Sequence, residues 1–183
     1  MKHDSTIVHI FDEDATARLR AEINLIKSLD LWTSHFEGEY AKTGALRHGK
    51  TFWLRKIDHN MNLMVDRYFE FPESYKLLKQ FSKDCEIGRS YWHWLRPGDS
   101  IDKHNDRNLG FTDQVLHRYQ VYTDIPDGSI ISIDEGRFDP ITLKNCVLDF
   151  NMHYDHFYRN DTDSDLIFMV FDVFKPGVHI NNV

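Results

Sequence analysis

His104 and Asp106 stand two residues apart in the stretch Leu95-Arg96-Pro97-Gly98-Asp99-Ser100-Ile101-Asp102-Lys103-His104-Asn105-Asp106. On an extended segment, side chains two apart share a face. An imidazole and a carboxylate placed in this way, joined by one histidine from elsewhere, make a 2-His-1-carboxylate set. Such a set holds Fe(II) from one side and leaves positions open for a cosubstrate and oxygen. His-x-Asp pairs occur in many loops, so the chain must also supply a third ligand and a cosubstrate site. Two histidines compete for the third place, His153 and His156, in Phe150-Asn151-Met152-His153-Tyr154-Asp155-His156-Phe157-Tyr158-Arg159. In a regular strand these two would face opposite sides, so they do not both serve.

The elements that must position these groups follow from pattern. Thr6 to Phe11 reads as a short strand. Asp12 offers an N-cap, Glu13 and Asp14 suit the first turn, and apolar residues at helical spacing predict a helix over Asp14 to Leu29. Trp32 to Phe36 and Thr51 to Ile57 read as strands around a basic, Gly-containing connection. Lys42, Arg47, Lys50, Arg55 and Lys56 in that region are expected to form a solvated hairpin face. Pro72-Glu73-Ser74 opens a second helix, with Pro at its first position. From Ile87 onward the pattern is β. Strands are expected at Ile87–Leu95, Gln114–Asp124, Ser129–Asp134, Cys146–Phe150, Tyr154–Arg159 and Leu166–Phe174, separated by Pro- and Gly-marked turns. Trp92 and Trp94 alternate with Tyr91 and His93, so one face of that strand is expected to be core. Many short strands after two helices suggest a β-sandwich or barrel with helices outside. No repeat or linker divides the chain. The expectation is one domain over residues 1–183, helical to about residue 85 and a β core from about 86 to 176.

Composition narrows the class. The 183 residues include 13 Phe, 8 Tyr and 4 Trp, enough apolar surface for one real core and too much for a disordered chain. A net charge of -7 disfavours nonspecific binding to nucleic acid or to an anionic membrane. Cys85 and Cys146 lie far apart, without metal spacing, and fit free thiols in a reducing compartment. The opening residues are too polar for a signal peptide, and the longest apolar run is too short to span a bilayer. A cytoplasmic protein is the expectation.

The motifs together resemble the aspartyl/asparaginyl β-hydroxylase family of Fe(II)/2-oxoglutarate oxygenases. Leu95-Arg96-Pro97-Gly98 leading to His104 looks like the family's approach to its proximal histidine. Phe150-Asn151 through Tyr154-Asp155-His156 is similar to the approach to the distal one. Asp172-Val173-Phe174-Lys175-Pro176 matches the family's closing strand. The resemblance spans about Trp92 to Pro176 and implies the double-stranded β-helix, a jelly-roll variant. It implies His104, Asp106 and His156 as metal ligands and catalytic centre, with Fe(II) and 2-oxoglutarate as cofactors. It also implies hydroxylation of an amino acid or an Asp/Asn-type peptide side chain, with molecular oxygen as co-reactant. The short chain slightly favours a small substrate.

One part of the family pattern is absent. The family places an arginine ten residues after the distal histidine, to hold the cosubstrate's distal carboxylate. Here that position is Leu166, preceded by Asp165. A buried carboxylate left unpaired costs several kcal/mol, so another group must serve. Arg118-Tyr119-Gln120-Val121 resembles the family's R-x-H-L element with Gln in place of His. Arg118 is the expected cation, with Gln120 and His93 as further cosubstrate contacts. Arg159, Arg137 and Lys144 are reserves. The alternatives are a cupin-like metal enzyme that uses another cosubstrate and a non-catalytic jelly-roll binding domain.

Overall fold

The computed structural model describes residues 4–34, 49–106, 111–133 and 138–182. Within them lie eleven strands, two α-helices and two short 3-10 turns. Strand β1 (Thr6–Ile10) leads into helix α1 (Glu13–Ser28). Asp12 caps α1 as its sequence suggests, its carboxylate accepting from the Ala15 amide at 2.7 Å. Strands β2 (Thr33–Ser34), β3 (Lys50–Ile57) and β4 (Leu63–Asp66) follow, then helix α2 (Pro72–Ser82). The remainder is β: β5 (Ile87–Leu95), β6 (Ser100–His104), β7 (Val115–Asp124), β8 (Ile130–Ser132), β9 (Cys146–Asp149), β10 (His156–Arg159) and β11 (Leu166–Phe174).

These strands form two sheets. The larger runs β1-β9-β7-β11-β5-β3-β2, with β4 attached to β3, and the smaller runs β6-β10-β8. Every ladder is antiparallel. The chain passes from the large sheet to the small one at Arg96-Pro97-Gly98-Asp99. The Asp99 amide donates back to the Arg96 carbonyl at 2.9 Å, and Gly98 takes φ +85°. That left-handed conformation favours glycine, and proline suits the position before it. The result is the expected jelly-roll double-stranded β-helix, with its helices outside.

Alternation along the strands divides the core in two. Tyr91, Leu95, Leu166, Phe168 and Val170 face the small sheet and pack with Ile101, Ile131 and Tyr158. Trp92, Met169, Phe171, Val121 and Phe52 face the other way and pack on Leu19, Ile23, Ile26, Leu77 and Leu78 of the helices. Each fully buried side chain of this kind contributes about 1.5–3 kcal/mol. Both sets depend on register, since a slip of one residue exchanges the faces.

One member of the basic cluster departs from expectation, while Lys56 is exposed as expected. Arg55 is buried, donating to Glu86 at 2.7 Å and to the Ile87 carbonyl at 2.8 Å, with Asp66 3.7 Å away. Two carboxylates and a carbonyl supply what burial of a guanidinium requires. Lys42 and Arg47 lie outside the described residues, as does the end of the predicted strand at Phe36.

Candidate metal centre

β6 and β10 pair so that His156 stands opposite His104. Asp106 lies two residues beyond β6, where its amide donates to the Met152 carbonyl at 3.0 Å. Asn105 donates to Asp155 at 3.0 Å, and Thr112 Oγ1 to the Asp106 carbonyl at 3.2 Å. The loop after β6 is thus stitched to the loop before β10. Among the described residues, His104, Asp106 and His156 form a set whose ligand atoms all lie within 4.8 Å of one another. His104 Nε2 is 3.6 Å from Asp106 Oδ1, and His156 Nε2 is 3.8 Å from Asp106 Oδ2.

Both rings have their tautomer set by the backbone. His104 Nδ1 is 2.7 Å from the Asp102 carbonyl, and His156 Nδ1 is 3.2 Å from the Tyr154 carbonyl. A carbonyl only accepts, so each Nδ1 carries a proton, and in the neutral ring Nε2 presents its lone pair toward the Asp106 side. Burial pushes the His156 imidazole down to about 4. The His104 and Arg118 charges add to this, while Asp106 and the Tyr154 carbonyl oppose it. His156 is therefore neutral at ordinary pH, as a metal ligand must be. Phe150 packs edge-on against it at 4.7 Å. His153 is outside this set, and its amide donates to the Asn151 side chain at 2.9 Å.

A narrow pocket opens from the set into the space between the sheets. It is lined by Tyr91, His93, Gln120, Tyr158 and Phe168 as well as the three residues above. Tyr122 and Tyr158 both donate to Gln120 Oε1, at 2.5 and 3.0 Å. That fixes the amide of Gln120 with its oxygen toward the tyrosines. Burial raises the Tyr122 hydroxyl well above its ordinary value, so it stays a donor. At the far end, His93 Nδ1 lies 3.4 Å from Thr51 Oγ1.

Arg118, the expected cation for the cosubstrate, is bound to two carboxylates of the protein. Its guanidinium is 1% exposed and straddles Asp172, which stands directly across the β7–β11 ladder. Nε donates to Asp172 Oδ1 at 2.6 Å and Nη2 to Oδ2 at 2.9 Å, while Nη1 donates to Asp106 Oδ2. Burial works against its charge, but Asp172 and Asp106 outweigh this and keep it protonated. Three of its five donors are thus spent on protein carboxylates. Leu166 is fully buried between the sheets. Asp165 is paired with Lys27 of α1 at 2.5 Å. Arg159 is exposed and bound to Asp161, and Lys144 is exposed. Arg137 lies outside the described residues.

The profile of the aspartyl/asparaginyl beta-hydroxylase family matches residues 13–176. The chain belongs to that family. No curated protein matches it closely enough to count. Among solved structures, it is similar to a 2OG-Fe(II) oxygenase family oxidoreductase from Burkholderia pseudomallei. The identity is 13%, with 93% of this chain and 85% of that one covered and a TM-score of 0.60. A prolyl-4-hydroxylase from Pseudomonas putida has 13% identity, 95% and 92% coverage and a TM-score of 0.57. The carbocyclase SnoK of nogalamycin biosynthesis has 10% identity, 99% and 83% coverage and a TM-score of 0.65. At such identities the likeness is one of fold, and it extends over nearly the whole chain.

Proposed function

We propose that this chain is an Fe(II)- and 2-oxoglutarate-dependent hydroxylase of an amino acid or of an Asp/Asn-type side chain in a peptide. The observation that carries the reading is the convergence of His104, Asp106 and His156 at the mouth of a pocket between the two sheets. The donor set fits Fe(II): two imidazoles with their Nε2 lone pairs inward and one carboxylate, without sulfur. In this reading the three hold the ion from one side. When bound, the iron and 2-oxoglutarate supply the oxidising power needed to break an unactivated C–H bond.

The remaining residues have tasks of their own. Phe150, Tyr158 and Phe168 limit water around the donors. His93, backed by Thr51, and the amide of Gln120 offer the pocket's polar contacts to a dicarboxylate in place of the family arginine. A free amino acid and a peptide side chain are both members of this reading.

Anaerobic titration of the Fe(II)-loaded protein with 2-oxoglutarate tests the proposal. Chelation gives a visible charge-transfer band, which should appear and saturate. Iron binding without a band would transfer the protein to a second reading, a metal-dependent oxygenase with a different cosubstrate. Leu166 at the family's arginine position is the observation that favours that alternative.

A further inference from the structure

Asp106 sits outside regular structure, yet its carboxylate is held by a residue of a strand. Arg118 reaches it from the middle of β7, deep in the large sheet. Arg118 is itself locked in a two-point fork by Asp172. Asp172 is 1% exposed, sits at an irregularity of the β11–β5 ladder, and has Arg89 Nε 3.5 Å from Oδ2, the oxygen that Arg118 Nη2 also reaches. Gly88 makes room for it: a Cβ there would lie 2.8 Å from the Asp172 Cβ. Arg89, Asp172, Arg118 and Asp106 thus form a file of alternating charge that starts in the sheet and ends on a candidate ligand.

We propose that Arg118 and Asp172 are positioning residues that fix the orientation of the Asp106 carboxylate before a metal arrives. This rests on the reading of Asp106 as a ligand. Two physical effects follow. A planar guanidinium held at two points offers its third N–H in one direction only, which fixes where Oδ2 of Asp106 sits. One lone pair of Oδ2 is also occupied, which disfavours both oxygens of Asp106 closing on the same ion. A carboxylate that binds through one oxygen leaves more positions open for other ligands. Residues that orient a metal ligand through a hydrogen bond are typically worth 10- to 100-fold in metal affinity.

The test uses variants that keep the positive charge next to Asp106 and change how it is held. Asp172→Asn removes half of the fork, and Arg118→Lys replaces it with a point donor. Mn(II) affinity is measured by calorimetry and the visible spectrum of the Co(II)-loaded protein is recorded, with circular dichroism as the folding check. Both variants should bind Mn(II) about 10- to 100-fold more weakly and shift the Co(II) bands. Arg55→Lys, a buried arginine in a separate ion cluster, should lower thermal stability and leave both readouts unchanged. Should either variant fail to fold, the other decides alone. A folded Asp172→Asn protein with wild-type affinity and spectrum would overturn the proposal. Wild-type protein that binds neither metal would instead remove the reading on which it rests.

Discussion

His156 lies directly across the ladder from His104, so one backbone pairing between β6 and β10 brings the two imidazoles to a ring separation of 4.2 Å. Their placement therefore depends on sheet register rather than on loop conformation, while Asp106 depends on the loop and on Arg118.

Removing any of the three should remove the metal and leave the fold. His104→Ala, Asp106→Ala and His156→Ala are each expected to weaken Fe(II) or Mn(II) binding by more than the 10- to 100-fold typical of an outer-shell change, with the far-ultraviolet circular dichroism retained. His153→Ala should bind as the wild type does. Equal losses in His153→Ala and His156→Ala would reopen the choice between them.

His93→Leu should weaken 2-oxoglutarate in the charge-transfer titration while leaving iron affinity alone. A hydrogen bond to a charged group is worth about 1.5–3 kcal/mol, so the apparent Kd should rise roughly 10- to 100-fold. An unchanged Kd would assign the distal carboxylate to another group.

Leu166→Arg places the family's cation where this chain has a fully buried apolar side chain packed among Leu95 and Phe168. Without ligand the variant should lose several kcal/mol, because a buried charge without its partner is costly. Added 2-oxoglutarate should recover more melting temperature than in the wild type, since ligand binding to the native state stabilises it. If the variant responds no more than the wild type does, position 166 does not face the cosubstrate here.

The metal-free protein should lose stability in acid because of His156. Its folded value of about 4 lies below the ordinary 6.5. Between these values the unfolded chain takes up a proton that the folded chain refuses. Stability is therefore complete above about pH 6.5 and falls as the pH drops toward 4, by at most about 3 kcal/mol. Urea titrations from pH 7 to 4.5 in the presence of a chelator, compared with His156→Gln, measure this. Equal slopes in both proteins would assign the loss to other groups.

Sequence reading and structure agree where the pattern is local. Ile87–Leu95 and Leu166–Phe174 appear with the expected bounds; both are apolar, β-rich runs closed by turns. β4 has only four residues, and its Leu63–Asp66 pattern acquires meaning only through pairing with β3. β6 reads Ser-Ile-Asp-Lys-His, polar but for one residue, and is a strand because β10 pairs with it. The candidate ligands were legible because histidine and carboxylate spacing lies within one segment. The partner of Arg118 was not: Asp172 is 54 residues away in the chain and becomes its neighbour only across a ladder. Arg55 shows the same limit, a basic residue in a basic stretch that is buried because Glu86 comes to meet it.

Strand β5 has no idle side. Tyr91 and His93 line the pocket, while Trp92 is sealed beneath the helices and donates to Ser74 at 3.2 Å. Substitutions along it can be absorbed one at a time, but an insertion or deletion of a single residue between Gly88 and Leu95 cannot. It would turn the tryptophans toward the pocket and the histidine toward the helices, exchanging pocket lining for scaffold in one step. Relatives of this chain should therefore vary freely in the length of their connecting segments and hold constant the number of residues in this strand.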